Sequence, residues 1–477
     1  MQITTQTADE LEKYLNFSSL ELKLTAQNMA NATTPGYTRE EPNWEENDSV
    51  TLNGVQYGMG VTVTGPVSQR DRVLEQSMQQ QTQAESASSA RLTALDQLDA
   101  LFADATSDTS GSSGSASGIG TDMSAFFSSL SSLEESPSSD SARQAVLSAA
   151  TELSDDFNST AQQLTSQQQA LDEQSGGVLT QVNGLTQNIA SLNLQIESTS
   201  PNGDAGVLED QRQQDLTQLS QLIGFDQIQT ENNGLTLTTS TGAVLVAGGN
   251  AYAITSGTKD GVTHFYDSAN QDITSDLTSG GGELGGMLTV RDQDIPQALS
   301  ALNVLAYSVA NSVNTQNEAG SDLNGNAGTA IFGLPSAATA AVPDGSAAGI
   351  SVIMTDPSEI AAAATGNGSA DNTNVTAMAN LGSGDIVNGE TPSSYYSAFV
   401  TGLGSAASEV STENTAQSSA LSQLNSQIGS LSTVDPNEEA ANLETLEQSY
   451  EAASKVFTVL DEVMISALNL GVESTFS

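Results

Sequence analysis

Leu443, Leu446, Tyr450, Ala453, Phe457, Leu460, Met464 and Ala467 recur at alternating intervals of three and four residues. That alternation places all of them on one stripe of a helix, as in a coiled-coil seam, and a seam requires a partner. Val456, Val459 and Val463 flank the stripe, so the helix has a second side to bury. The other end of the chain carries a matching pattern. From about Asp9 to Ala32, Leu11, Leu15, Leu22 and Met29 share a face that Tyr14, Phe17, Leu20 and Leu24 widen, which predicts an amphipathic helix. Asn31-Ala-Thr-Thr-Pro35-Gly36-Tyr37 follows it. Pro35 and Gly36 suit the two central positions of a type II turn, where proline fixes φ and glycine supplies a positive one.

Helical periodicity continues inward. Residues from about Pro66 to Ala103 carry Leu92, Leu95, Leu98 and Phe102 at helical spacing, and a Ser/Gly-dense stretch from Thr106 to Thr121 reads as a loop. Ala150, Leu153, Phe157, Ala161 and Leu164 open a long segment that Val178, Val182, Leu185, Ile189, Leu192 and Ile196 extend. Ser200-Pro201-Asn202-Gly203 ends it, and Leu208 to Gly224 reads as a further helix with Gly224 near its C-cap. After Phe225, short runs such as Leu235–Thr238, Ala243–Val246 and His264–Tyr266 alternate with Asn-Gly, Gly-Gly and Asp-Gly, the signature of hairpins. Helix resumes through Leu299, Leu302, Ala306, Val309 and Val313. An Ala/Gly/Ser-rich stretch follows, with one strand-like run, Ile350–Met354. Helix returns from Tyr396 to Leu431 and stops before Asp435-Pro436.

Aromatic residues make up only 4% of the chain, which favours long helices and small sheets over a thick core. The expected fold is mainly α with a small β insertion, an α+β helical-bundle or coiled-coil rod whose N- and C-terminal helices pair. The expected division is a terminal-helix unit (1–40 with 435–477), a helical rod (41–224, 290–319 and 391–434), a small β subdomain (225–289) and a reduced outer insertion (320–390).

With 58 acidic and 11 basic residues the net charge is −47. Nucleic acid and anionic lipid need clustered Lys and Arg, which are lacking, so neither is an expected partner. There is no cysteine for disulfides or thiolate metal sites. The N-terminus shows no basic start with an apolar run, and no window reaches the length of a membrane span, so no cleaved signal or membrane insertion is expected. Taken alone, that composition reads as cytoplasmic. The single histidine, His264, falls in a predicted strand without a nucleophile beside it. Ser256-Gly-Thr-Lys259 lacks the motifs that accompany a catalytic Ser-x-x-Lys. Asp322-Leu-Asn324-Gly-Asn326-Ala-Gly328 resembles the start of a calcium loop, but Ala327 and Gly333 stand where Gly and Glu are needed. Acidic pairs such as Glu134-Glu135, Asp155-Asp156 and Glu438-Glu439 suit a solvated surface. No catalytic residue, metal site or cofactor is expected.

Asn28-Met-Ala-Asn31-Ala-Thr-Thr34-Pro35-Gly36-Tyr37-Thr38-Arg39 resembles the signature of the flagellar rod, hook and hook-associated family. Asn442-Leu-Glu-Thr-Leu-Glu-Gln-Ser-Tyr450-Glu-Ala-Ala resembles that family's closing helix. Leu208-Glu-Asp210-Gln211-Arg212, Leu284-Gly-Gly-Met-Leu288 with Arg291, and Asn314-Thr-Gln316 before Gly320 are similar to its hook-associated members at the hook–filament junction. The resemblance implies a secreted structural adaptor that leaves through the flagellar export channel on an uncleaved N-terminus, against the cytoplasmic reading. It implies a ring of copies of the chain between hook protein and hook-associated protein 3, with an export chaperone on the C-terminal helix beforehand. A hook or rod subunit, or a secreted acidic adhesin, is the alternative. The expected assembly interface is Leu11, Leu15, Leu22, Leu24 and Met29 with Leu443, Leu446, Tyr450, Ala453, Phe457, Leu460 and Met464. Asn28, Asn31, Pro35, Gly36 and Tyr37 are expected to shape the turn out of the inner tube. The terminal helices are expected to order on assembly.

Overall fold

The computed structural model describes residues 2–48, 50–52, 55–57, 61–103, 118–199, 204–259 and 261–473. Helix α1 (Gln2–Asn31) leads through a turn into β1 (Glu40–Glu46), β2 (Val50–Leu52), β3 (Val55–Tyr57) and β4 (Val61–Ser68). These strands form nested antiparallel pairs, β1 with β4 and β2 with β3. This hairpin replaces helical rod in the expected division. Pro66, taken above as a helix start, pairs instead with Pro42 across the ladder. The helix starts later because Asp71 accepts from the amides of Val73 and Leu74, satisfying donors that a first turn leaves open.

Helix α2 (Arg72–Ala103) then runs to the 104–117 stretch, so the expected Thr106 loop lies mostly outside the described residues. Its last part does not: α3 (Ile119–Glu135) already begins there. Helix α4 (Asp140–Thr199) is 60 residues long, about 90 Å at helical rise. It buries Val146, Ala150, Leu153, Phe157, Ala161, Leu164, Leu171, Val178, Val182, Ile189 and Ile196, close to the predicted stripe. Helix α5 (Val207–Leu222) folds back against it. Gly224 lies next to the C-cap of α5, as expected above, though not in a left-handed conformation. Ile223 is the extended cap, and Gly224 is needed because its backbone meets that of Gly280, leaving no room for a Cβ. Gly224→Ala should therefore force the backbones apart and cost about 1–3 kcal/mol by overpacking, read as a lowered denaturant midpoint with unchanged slope.

Strands β5 (Asp226–Gln229), β6 (Leu235–Thr238), β7 (Val244–Ala247) and β8 (Asn250–Ala251) form one antiparallel sheet in that order. Strands β9 (Thr255–Lys259) and β10 (Val262–Tyr266) form a separate hairpin. The rest of the expected β subdomain is helical: α6 (Thr274–Gly280) and α7 (Gly282–Thr289). Glycine-rich sequence hid them, because tight packing and not propensity holds them. A Cβ at Gly286 would run into the carbonyl of Ala87 on α2. A π turn at Val290–Asp294 joins α7 to α8 (Ile295–Glu318).

The 320–390 insertion contains α9 (Ser346–Gly349) and α10 (Thr373–Asn380), with two-residue strands that include Ser351–Val352 inside the expected Ile350–Met354 run. It shares the core of the helical body. Phe332 stacks edge-on against Phe126 of α3 at 5.5 Å, and Ile350, Met354, Val375 and Met378 are buried in the same cluster. Helix α11 (Pro392–Ser432), capped by Thr391, lies along α2, and α12 (Pro436–Glu473) returns beside α1.

Three buried arginines fasten the insertion, the π turn and the α5–sheet corner along α4. Arg143 donates to the carbonyls of Pro137 and Ile360, tying the insertion to the α3–α4 corner. Arg291, on the π turn, bonds Asp172 at 2.6 Å and Asp292 at 2.7 Å beneath the Phe265 ring. Arg212 of α5 bonds Asn193 at 2.9 Å and the carbonyl of Asn233 at 2.7 Å, holding the sheet. Burial lowers its pKa to about 10.

Candidate assembly interface

The two terminal helices pack side by side. Asn28, near the end of α1, donates to Glu439 in the first turn of α12, so the pair is antiparallel. Leu24 is buried between them. Leu11, Leu15, Leu22, Leu443, Leu446, Ala453, Phe457, Leu460 and Met464 are each half-buried. Two expected seam residues are not covered: Met29 is 37% and Tyr450 38% exposed. Two helices cannot enclose a stripe this wide, and nothing among the described residues covers its edge. The second flank is barer still, with Val456, Val459, Val463 and Ile465 each more than half exposed.

At the foot of the pair the turn forms as the residues require. The amide of Tyr37 donates to the carbonyl of Thr34 at 3.2 Å, with Pro35 and Gly36 between them and Gly36 at φ 78°. Asn31 extends the cap, donating to the carbonyl of Gln27 and accepting from the Thr34 hydroxyl. Asn28 is the hub. Its carboxamide donates to the Glu40 carbonyl at 2.9 Å and accepts from the Glu40 amide at 3.1 Å and the Tyr37 hydroxyl at 2.9 Å. One buried side chain thus fixes where β1 leaves α1. Burial and the Glu40 carboxylate push the Tyr37 phenol up to about 12, so it remains a donor at any physiological pH. Open space surrounds Gly36, so only its left-handed backbone resists substitution. Gly36→Ala should lower stability by about 1 kcal/mol, visible as a lower midpoint of thermal unfolding.

Below the turn, three passages of the chain between terminal pair and body meet at one joint. The Arg39 amide donates to the Ser432 carbonyl, the Gln69 amide to the Arg39 carbonyl, and the Ser432 hydroxyl to the Gln69 carbonyl. The α5 corner locks them. Asp210 accepts from the Thr38 hydroxyl at 2.7 Å and from Arg70 at 2.6 Å, while Glu209 pairs with Arg72 at 3.1 Å. Asp204 accepts from the Ser68 amide at 2.5 Å. Burial raises the pKa of Asp210 against the pull of Thr38 and Arg70.

Asp210, Arg70, Thr38 and Glu439 are absent from the expected interface. Leu208–Arg212 carried a signal through resemblance, without any indication of what it would bond. The other middle motifs are also joints. Asn314 holds Ile331 and Phe332 through its carboxamide, and Gln316 bonds Asn374, so both dock the insertion on α8. The two sites weighed for other chemistry are engaged locally: His264 bonds Asp272 at 2.7 Å, and Asp322 accepts from the amides of Asn324 and Asn326.

Residues 95–332 match the family described as the flagellar hook-associated protein FlgK helical domain, and residues 429–470 match the flagellar basal body rod FlgEFG protein C-terminal family. Flagellar hook-associated protein 1 of Escherichia coli (strain K12) is 25% identical, over 96% of this chain and 98% of its own. Its namesake in Bacillus subtilis (strain 168) is 27% identical, over 98% of this chain and 99% of its own. The flagellar hook junction protein FlgK from Burkholderia pseudomallei shares the fold, with a TM-score of 0.66 at 19% identity over 74% of this chain and 99% of that one.

Proposed function

Because the chain belongs to the family of flagellar hook-associated protein 1, we propose that it is the structural adaptor at the hook–filament junction and that copies of it close into a ring there. One observation carries the reading: a paired set of terminal helices whose apolar stripe is half-covered and whose second flank is bare. Neighbouring copies supply the missing cover, each side chain gaining about 1.5–3 kcal/mol on full burial. Residues 1–40 and 435–477 then line the inner tube, the turn at Asn28–Tyr37 leads out of it, and the helical body with its β part and insertion stands outside.

Hook protein and hook-associated protein 3 are the neighbours above and below, and an export chaperone shields the α12 seam during passage through the flagellar channel. No helix among the described residues is long and apolar enough to cross a membrane. The role is mechanical, and the protein is not an enzyme. In dilute solution the half-covered terminal pair should fray. Helical circular dichroism should fall on dilution and recover on concentration, and a signal independent of concentration would count against this.

The test of the function is deletion of the gene in its own bacterium, with electron microscopy and an assay of spent medium. Hooks without filaments, and flagellin in the medium, are expected. Absent hooks would assign the chain to the hook or rod, and unaltered flagella would favour a secreted adhesin.

A further inference from the structure

Inside the joint lies a cavity of about 20 Å³, walled by residues of α2, α5 and β5 and by Arg70, which follows β4. One water molecule needs about 10–15 Å³ on the same measure, so the cavity has room for one and for nothing larger. Three buried polar atoms of its wall residues have no hydrogen-bond partner among the described residues: Arg70 Nε, Gln213 Nε2 and Gln227 Oε1. A buried donor or acceptor left without a partner keeps its full desolvation penalty. The Gln213 side-chain oxygen already accepts from Gln79 at 3.2 Å, which fixes the way that amide faces and leaves its nitrogen to bond elsewhere. Arg70 donates through another nitrogen to Asp210 at 2.6 Å, while its Nε stops 3.8 Å from the Glu209 carboxylate, too far for a direct bond. A polar separation of that length is one that a water bridges.

The unpartnered atoms are two donors and one acceptor, and a water matches them. Its lone pairs accept from Arg70 Nε and Gln213 Nε2, one hydrogen goes to Gln227 Oε1, and the other goes to the Glu209 carboxylate. An ion does not match. A cation would face two N–H donors, and an anion would face the Gln227 oxygen. The charges around the cavity also balance already, with Arg70, Arg72 and Arg212 against Glu75, Glu209 and Asp210.

We propose that one water molecule is a fixed part of the joint, bonded to Arg70, Gln213 and Gln227, and that it ties the chain leaving β4 to α5 and to the edge of the sheet. In a high-resolution crystal structure of the full chain, one density peak should lie about 2.7–3.2 Å from all three atoms. Density showing Arg70 Nε closed onto Glu209, or either amide turned to a protein partner, would overturn the site. Stability gives a second reading through Gln213→Met and Gln227→Met, which keep the length of the side chain and remove its hydrogen bonds. Gln227→Met should lower the denaturant midpoint by about 0.2–0.5 M urea, because the water loses its acceptor. Gln213→Met should lower it too, and the double variant should lose less than the sum, because losing either amide loosens the same water. Without a water, Gln227→Met would only remove an unpartnered acceptor. A midpoint raised by that variant, or two losses that simply add, would overturn the bridge.

Discussion

Cells carrying Leu446→Asp with Leu460→Asp should build hooks but no filaments, although the mutant chain is made and its body folds. Both leucines are half-buried on the α12 seam, outside the shared core that holds α2 to α11 together. Each substitution removes about 1.5–3 kcal/mol of burial and puts a carboxylate where copies must come together dry. Two such losses total about 6 kcal/mol at the upper end, roughly four decades in an association constant. The measurement pairs filament counts by electron microscopy with a thermal melt of the purified chain. Normal filaments from this mutant would remove the seam from the account. An unfolded body would instead show that the terminal pair stabilises the rest.

The other large effect is expected at the joint. Asp210→Asn keeps the shape of the side chain but takes the charge from a pair in which Arg70 is 6% and Asp210 12% exposed. Breaking a buried pair from one side costs about 3–5 kcal/mol, because the remaining charge stays out of water. Glu209 lies 3.8 Å from Arg70 and retains part of the compensation, so the lower end of that range is expected. The damage should be local. Hydrogen exchange should accelerate at residues 37–40 and 68–72 well before the α4 core responds, and a uniform change across the chain would contradict a joint. Asp210→Leu with Arg70→Met should recover stability without recovering the bond to Thr38, which separates stability from positioning.

Much of this architecture is legible from side-chain period alone. α4, α11 and α12 are long and strongly periodic, and the Thr34–Tyr37 turn depends on two residues with restricted or permissive backbones. What escaped has identifiable causes. The β1 strand, Glu40–Glu46, is polar and contains a proline, so only its pairing with β4 makes it a strand. Helix α3 did carry a signal: Ile119, Met123, Phe126, Leu130 and Leu133 keep the four-three rhythm, and all are buried. The adjacent Ser/Gly-rich run masked it. Helices α6 and α7 read as loop because glycine marks a turn locally, whereas here it permits backbones to touch. Apolar spacing makes the stripe on α1 and α12 legible, and the two helices do lie side by side. The joint is not legible, since Thr38, Arg70 and Asp210 lie far apart along the chain and a single polar residue has no period.

Fastening the insertion, the π turn and the α5–sheet corner to α4 through buried guanidinium groups also decides how the molecule would yield under tension. A pull transmitted from the terminal pair passes through the joint to Arg212 and then along one unbroken helix. Each arginine clamp has several bonds in a planar fork, which have to rupture together and not in sequence. Stretched in a force spectrometer, the chain should therefore lengthen in a few abrupt steps, first at the terminal pair and last at the clamps, with little gradual give between them.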